Sequence, residues 1–541
     1  MALSSSNTQD GISNCYIARS SVCVKGSSST TGGQRVGNGL FSSHDVKPGE
    51  AVLRIKRPLM ASLESERLKD TCANCFVWTE GSSWGSRLYV KDGVTVQTCA
   101  GCKRFRYCSK ACQKEAWVRG HKHECKNLKH ISDKELPKAV LGCMELLVRR
   151  KHKLIPDQEW ERLCQLETHM EDFKRNGRDG GIELMAMGTS QFSFTQDTFD
   201  KDFVAAMYAR ILSNSLTLMT PSFDPLGIMV DATLCYINHS CDPNAYIVMD
   251  GSQVQLRTLR AVKKDEELFI SYVDPSNPSA RRRSELKQRW FFTCACAKCE
   301  SGPTQQEDAF LVDDPASAPQ PCKDYADSLL ERGKNSSSPS SSSSSVDEDD
   351  DDEANFLGPT LDARRLAALQ REFFTAYTNQ QSTPSAPHAL AIAQNALATA
   401  RSSSIWPEHR QPLPALRDDL IVNLLATHQY AQAFVQCAIR YRYITPVLFP
   451  EPHHPLRVVQ MWQMGMLALY LASSGDVVRP GVDMARVAAW LVRGTFEAAG
   501  RSHGVDSAFA VSVGRKLDEV GRLDGGAAAE KALWEIGELK P

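Results

Sequence analysis

Between Gly39 and Leu59, short apolar runs alternate with polar positions around a turn at Lys47-Pro48-Gly49-Glu50, a rhythm that predicts two short strands. The rhythm returns from Asp242 to Val273. There NAYIVMD and QVQLRTL flank Asp250-Gly251, a hairpin turn because glycine tolerates positive φ, and ELFISYV reads as a further strand. Between these stretches lie a dense Cys/His block at 72–125 and a segment, 135–218, in which Val140, Leu141, Met144, Leu146 and Leu147 recur at helical intervals. A β-domain split by insertions is the simplest reading. Residues 334–353, polar and then acidic, have almost nothing to bury and predict a disordered linker. Beyond it Leu416, Leu420, Ile421, Leu424 and Leu425 mark one helix face, and similar stripes recur near 430–442, 456–472 and 484–499. Stacked helical hairpins fit the short connections between them.

Length and charge sharpen this picture. The chain has 541 residues, too many for one ordinary core. Its 63 Lys and Arg balance 64 Asp and Glu, so no global field recruits nucleic acid or an anionic membrane. No apolar run reaches the roughly 18 to 20 residues that span a bilayer, and the start MALSSSNTQDG lacks the basic-then-apolar order of a signal peptide. The expected location is therefore the cytoplasm and nucleus, without membrane association. In a reducing compartment, clustering among the 18 cysteines points to metal thiolates rather than disulfides.

The spacing supports metal. Cys72-x2-Cys75, Cys99-x2-Cys102, Cys108-x3-Cys112 and His121-x3-Cys125 offer eight ligands, enough for two tetrahedral zinc ions. His121 is preferred over His123 because its four-residue separation from Cys125 puts both on one helix face. A second group, Cys294-x-Cys296-x2-Cys299, offers three thiolates. The best candidate for the fourth ligand is Cys241, within NHSCDPN at 238–244.

Several segments together resemble a known family. YCSKACQKEAW at 107–117 with His121 to Cys125 resembles the MYND zinc finger, while NHSCDPN at 238–244 and DEELFISYVD at 265–274 resemble the SET domain of protein lysine methyltransferases. Joined to GNGLFSSHDVKPGEAVL at 37–53 and the cysteines after the domain, they resemble the SET and MYND domain (SMYD) lysine methyltransferase family. HPLRVVQMWQMG at 454–465 and RSHG at 501–504 resemble its helical C-terminal domain.

The resemblance implies an α+β multidomain fold. A β-rich SET domain (14–65 and 219–276) would be split by a MYND zinc finger (72–125) and a helical insertion (135–218). A post-SET zinc region (277–303), the linker at 334–353 and an all-α helical-hairpin, TPR-like domain (360–541) would follow. It also implies interleaved zinc pairing, with Cys72, Cys75, Cys108 and Cys112 on one ion and Cys99, Cys102, His121 and Cys125 on another. The third ion would join Cys241 to Cys294, Cys296 and Cys299. The segment between Cys75 and Cys99 is longer than the family norm.

A lysine amine, with a pKa near 10.4 in water, attacks only when neutral. A sulfonium donor needs aromatic faces and oxygen acceptors, with no nucleophile close enough to take the methyl. By resemblance, Tyr272 orients the amine and the methyl for in-line transfer from S-adenosyl-L-methionine. The cofactor would be held by Gly37, Asn38, Gly39, Asn214, Asn238, His239 and Phe292, with Tyr272 beside them and with Glu167 and His169 as further contacts. The bland alternatives are an ordinary turn at 37–39, solvated polar groups at Glu167, His169 and Asn214, and core packing at Phe292. The family's arginine directly before GNG is absent: Val36 stands there, and Arg35 precedes it.

The expected partners are a protein substrate with a target lysine, histone or non-histone, and proline-rich segments at the MYND module. A monomer is expected. Lys103, Arg104, Arg106, Lys110, Lys114, Arg119 and Lys122 form a basic strip suited at most to weak, non-specific nucleic acid binding. Arg281-Arg282-Arg283 reads as a solvated helix start. The competing function is an interaction scaffold with an inactive SET domain.

Overall fold

The computed structural model describes residues 13–20, 25–26, 37–79, 94–302, 363–383, 385–403, 406–521 and 526–538. The linker at 334–353, Arg35 and Val36 lie outside them. Asn38–Ser42 pairs antiparallel with Cys15–Arg19, so that Arg19 stands opposite Asn38. The turn at 47–50 is made by Gly49, at φ +82, and leads into Ala51–Ile55. That strand completes a three-stranded sheet with the hairpin Ala245–Asp250 and Gln253–Thr258, whose turn Gly251 makes at φ +61. A second antiparallel sheet orders Met60–Leu63, Pro225–Val230 and Leu216–Met219.

ELFISYV forms a much shorter strand than its composition predicts. Phe269–Ile270 pairs in parallel with Asn238–His239, and before it Glu267 makes a single antiparallel bridge to Phe41. The reason is local: Asn244 accepts from the Phe269 N–H at 2.8 Å and donates to the Glu267 carbonyl at 2.8 Å. A fully buried side chain thus takes the hydrogen bonds that another strand would have made.

The Cys/His block enters the chain between Met60–Leu63 and Leu216–Met219 of the second sheet and is followed by helices Lys138–Lys151, Asp157–Gln165, Met170–Arg175, Asp179–Ser193 and Lys201–Asn214. The apolar positions of the first, Val140 to Leu147, are buried in the same core as the sheets. The C-terminal part is helical throughout its described elements, from Ala363–Ser382 to Ala527–Ile536. Two of its long helices, Pro455–Ser474 and Met484–Ser502, approach closely at Gly465, where a Cβ would stand 3.2 Å from Val492.

The RSHG segment fastens the helical part to the three-stranded sheet. Tyr246 donates its hydroxyl to the Ser502 carbonyl at 2.7 Å, Arg54 pairs with Asp506 at 2.7 Å, and Arg257 donates to the carbonyls of Gly49 and Arg501 at 2.5 and 3.3 Å. His503 is fully buried, with Nε2 3.0 Å from the Pro221 carbonyl.

The basic run at 281–283 does open a helix, Ser279–Trp290, but it is not a solvated one. Arg282 is fully buried, and Arg283 donates to the Cys299 carbonyl at 2.8 Å. A run of basic residues says nothing about which face the fold turns inward.

Candidate active site and metal centres

Three groups of ligand atoms come together, each within 4.8 Å: Cys72, Cys75, Cys108 and Cys112; Cys99, Cys102, His121 and Cys125; Cys241, Cys294, Cys296 and Cys299. Local structure explains the approach. Ser109 caps helix Lys110–Ala116 by accepting from the Cys112 N–H at 3.1 Å, which turns Cys112 back toward Cys108. Sulfur–sulfur distances of 3.5 Å for Cys75 to Cys108, 3.9 Å for Cys99 to Cys125 and 3.6 Å for Cys241 to Cys299 are the edges of a tetrahedron. Zinc–sulfur bonds of about 2.3 Å require edges of roughly 3.8 Å. The three clusters fit three zinc ions.

His121 turns Nε2 toward Cys99 and Cys102 at 3.5 and 3.7 Å, while Nδ1 lies 3.1 Å from Glu124. That carboxylate fixes the ring's orientation, as partners behind metal-bound imidazoles commonly do. His123 instead stacks on His152, centroids 3.6 Å apart.

The parallel pair Asn238–His239 and Phe269–Ile270 brings two distant segments of the chain side by side. Asn238 Nδ2 donates to Glu267 Oε1 at 2.7 Å and to the Asn38 carbonyl at 3.1 Å, and Ser20 donates to the other Glu267 oxygen at 2.8 Å. Gly39 is required here by close approach rather than by φ: a Cβ would stand 2.0 Å from Glu267 Oε1.

His239 Nδ1 accepts from the Tyr272 N–H at 3.0 Å, so Nε2 carries the proton of the neutral ring and faces Cys241 Sγ at 3.3 Å. Burial, aided by the charge of Arg282, pushes the His239 pKa down to about 4, against the pull of Cys296. The Tyr272 hydroxyl donates to the Ile237 carbonyl at 2.5 Å, and burial pushes the phenol above its ordinary 10.0. Tyr272 is a neutral phenol, not a base.

These groups face a cavity of about 930 Å³. Of the residues singled out in the sequence, Gly37, Glu167, His169, Asn214, Asn238, His239, Tyr272 and Phe292 line it. Asn38 and Gly39 do not; the exposed Asn38 meets Asn238 through its carbonyl, and Gly39 packs on Glu267. His169 is left-handed at φ +55, its Nδ1 3.0 Å from Asp172 and its ring 5.2 Å from that of Phe291. Asn214 donates to its own helix at the Arg210 carbonyl, 2.9 Å away.

Sequence reasoning missed three parts of this wall. Trp290 lies 5.2 Å, centroid to centroid, from Tyr272. Arg19 is exposed at the cavity beside Gly37, and among the described residues its guanidinium has no hydrogen-bond or ion-pair partner. Phe449, His454 and Leu456 bring the C-terminal part to the cavity as well. The HPLRVVQ motif marked the last two, but Arg19 reaches the cavity only through strand pairing with Asn38.

The basic strip is partly structural. Arg104 donates to the carbonyls of Ile131 and Lys134, Arg106 to that of Lys69, and Arg119 to Asn74 Oδ1, all at 2.5 Å.

Residues 37–273 match the family model described as the SET domain. A protein of Schizosaccharomyces pombe, "SET domain and MYND-type zinc finger protein 6", is 34% identical over 272 residues, covering 50% of this chain and 51% of that protein. Human "Histone-lysine N-methyltransferase SMYD3" is 29% identical over 287 residues, 51% of this chain and 61% of that protein. "Histone-lysine N-methyltransferase ASHR1" of Arabidopsis thaliana is 23% identical over 502 residues, 89% of this chain and 93% of that protein. The chain spans about half the length of the first relative and three fifths of the second. Residues 37–273, which hold the parallel pair and much of the cavity wall, thus form a SET domain. With its cysteine clusters, the chain is similar to the SET and MYND-type proteins among these relatives.

Proposed function

We propose that the protein transfers a methyl group from S-adenosyl-L-methionine to a lysine amine of a protein substrate, histone or non-histone, acting as a monomer in the cytoplasm and nucleus. The observation that carries this reading is the Tyr272 hydroxyl pinned to the Ile237 carbonyl at the wall of the cavity. When bound, the cofactor supplies an electrophilic methyl on a sulfonium, and transfer leaves a neutral thioether.

The donor set fits such a ligand. A cavity of this size accommodates a nucleoside-sized molecule. Phe292 offers a ring face, Asn214, Asn238 and Glu167 offer amide and carboxylate edges, and His239 holds the backbone of Tyr272 in place. Arg19, unpartnered among the described residues, suits the amino-acid carboxylate, in place of the arginine absent before Gly37.

Tyr272 donates its one proton to Ile237, so its oxygen lone pairs remain for the incoming amine and for the polarised methyl. Trp290 and the apolar wall desolvate the lysine, which favours its neutral form. The amine lone pair forms the new N–C bond as the S–C bond breaks, and the amine's proton leaves to solvent.

In this reading residues 72–125 are the MYND module, with Trp117 and Val118 exposed for proline-rich partners, and residues 360–541 are the TPR-like domain. The full chain is incubated with radiolabelled S-adenosyl-L-methionine, a histone panel and cell lysate, beside Tyr272→Phe. Label on protein lysines, lost in the variant, is the expected result. Zinc-replete protein that labels nothing would instead favour an interaction scaffold.

A further inference from the structure

Two arginines line the cavity, Arg19 and Arg289, and among the described residues neither has a hydrogen-bond or ion-pair partner. The acids that line it, Glu167 and Asp172, pair with neither; Asp172 is held by His169 at 3.0 Å and by Arg175 at 2.6 Å. Arg289 stands near the C-terminus of helix Ser279–Trp290. The helix dipole favours a cation at such a place in any protein, and solvent would satisfy it. This one lies over a ring of the cavity wall instead. Its guanidinium carbon is 4.5 Å from the centroid of the Trp290 ring, which is itself 5.2 Å from that of Tyr272.

We propose that Arg289 is a specificity-determining residue, selecting protein substrates that carry a carboxylate side chain, Asp or Glu, within about three residues of the target lysine. The proposal rests on the methyl-transfer reading of the cavity. S-adenosyl-L-methionine brings one carboxylate, which Arg19 suits in its place beside Gly37. The second guanidinium is left for an anion that neither the cofactor nor the cavity wall supplies. The protein substrate is the remaining source.

The geometry suits a residue close to the lysine. In the same reading Trp290 desolvates the lysine beside Tyr272, so a guanidinium over the Trp290 ring is one ring contact away from that side chain. An extended peptide advances about 3.3 Å per residue, which brings the flanking side chains past this point and leaves more distant ones beyond it. A guanidinium resting on an aromatic face keeps its N–H edge for a carboxylate, which it can hold through two parallel bonds. An amide of the same shape offers no charge, and a basic side chain is repelled.

The test uses the full chain, radiolabelled S-adenosyl-L-methionine and libraries of lysine-centred peptides with degenerate flanks. In each library one of the three positions on either side of the lysine is fixed as Glu, Gln or Arg. Wild type should label Glu libraries faster than Gln libraries by about tenfold at one position or two adjacent ones, and added salt should shrink that ratio. In Arg289→Gln the ratio should fall to about one, and Arg289→Glu should favour Arg over Gln at the same position. Arg289 is exposed, so neither substitution opens the core. A preference that reverses with charge is not what a change in folding or in cavity shape produces. Calorimetric titration of S-adenosyl-L-methionine into wild type and Arg289→Gln should give affinities within about threefold of each other. A wild type that labels all libraries alike, or a preference for Glu that survives in Arg289→Gln, would overturn the proposal. So would an approximately tenfold loss of cofactor affinity in that variant, which would make Arg289 the partner of the cofactor's carboxylate. A wild type that binds the cofactor and labels no library would refute the methyl-transfer reading itself, and the proposal with it.

Discussion

The Tyr272 hydroxyl donates to the Ile237 carbonyl at 2.5 Å while the Tyr272 N–H is held by His239, so one residue is fixed at both ends by a segment more than thirty residues away in the chain. Tyr272→Phe keeps the ring against Trp290 and His239 and removes only the oxygen. Oriented oxygens of this kind contribute roughly 100- to 1000-fold to a rate. We expect kcat to fall by about that much, with cofactor affinity within a fewfold and zinc content unchanged. Because burial keeps the phenol protonated, the wild-type rate should rise with pH as lysine deprotonates, without a limb from Tyr272 near its ordinary 10.0. A variant of normal kcat would remove Tyr272 from the chemistry.

Gly39 and Glu267 test the wall behind the cavity. A methyl group at Gly39 must displace the carboxylate that holds both Asn238 and Ser20. Gly39→Ala should therefore lower stability by about 1–3 kcal/mol, the usual result of overpacking. It should also weaken cofactor binding, since Asn238 lines the cavity. Thermal denaturation and calorimetric titration read the two effects; an unchanged melting temperature with unchanged affinity would mean Glu267 moves aside at no cost.

The metal centres were the most legible part of the chain, because ligands two to four residues apart can chelate only through a turn or a helix face. The hairpin at Asp250-Gly251 and the helix faces around Val140 and Leu416 were legible for a similar local reason. What the sequence hid depends on tertiary context. The strand at 267–273 is short because Asn244, more than twenty residues away, takes its hydrogen bonds. Arg281, Arg282 and Arg283 look alike in sequence and are separated only by which face of their helix meets the cysteines. Asn38 and Gly39 read as cofactor contacts, and their contacts with Asn238 and Glu267 come from segments some two hundred residues apart.

Arg19 and Gly37 stand together at the cavity, and Arg19 carries a charge suited to a carboxylate. A charge-assisted contact of this kind is worth about 1.5–3 kcal/mol, so Arg19→Gln should weaken S-adenosyl-L-methionine binding roughly 10- to 100-fold. Binding of 5′-deoxy-5′-methylthioadenosine, which lacks the amino-acid portion, should be unchanged. Equal losses for both ligands would mean that Arg19 shapes the cavity rather than reading the carboxylate.

His503 ties the stability of the domain contact to pH. It is fully buried beside Phe509, 4.3 Å away by ring centroids, and burial, together with the charge of Arg257, pushes its pKa down to about 4. The unfolded chain, with an ordinary imidazole near 6.5, takes up a proton that the native site refuses, so stability is lost as pH falls from 6.5 toward about 4. Above 6.5 both states are neutral and the contribution is fully present. His503→Gln removes this titration. The stability gap between wild type and variant should then narrow by about 1 kcal/mol between roughly pH 7.5 and 5.5, the span in which the unfolded imidazole protonates. Denaturant midpoints measured in parallel for the two proteins give the comparison, with zinc loss common to both. A gap that stays constant across that span would show that His503 contributes packing alone.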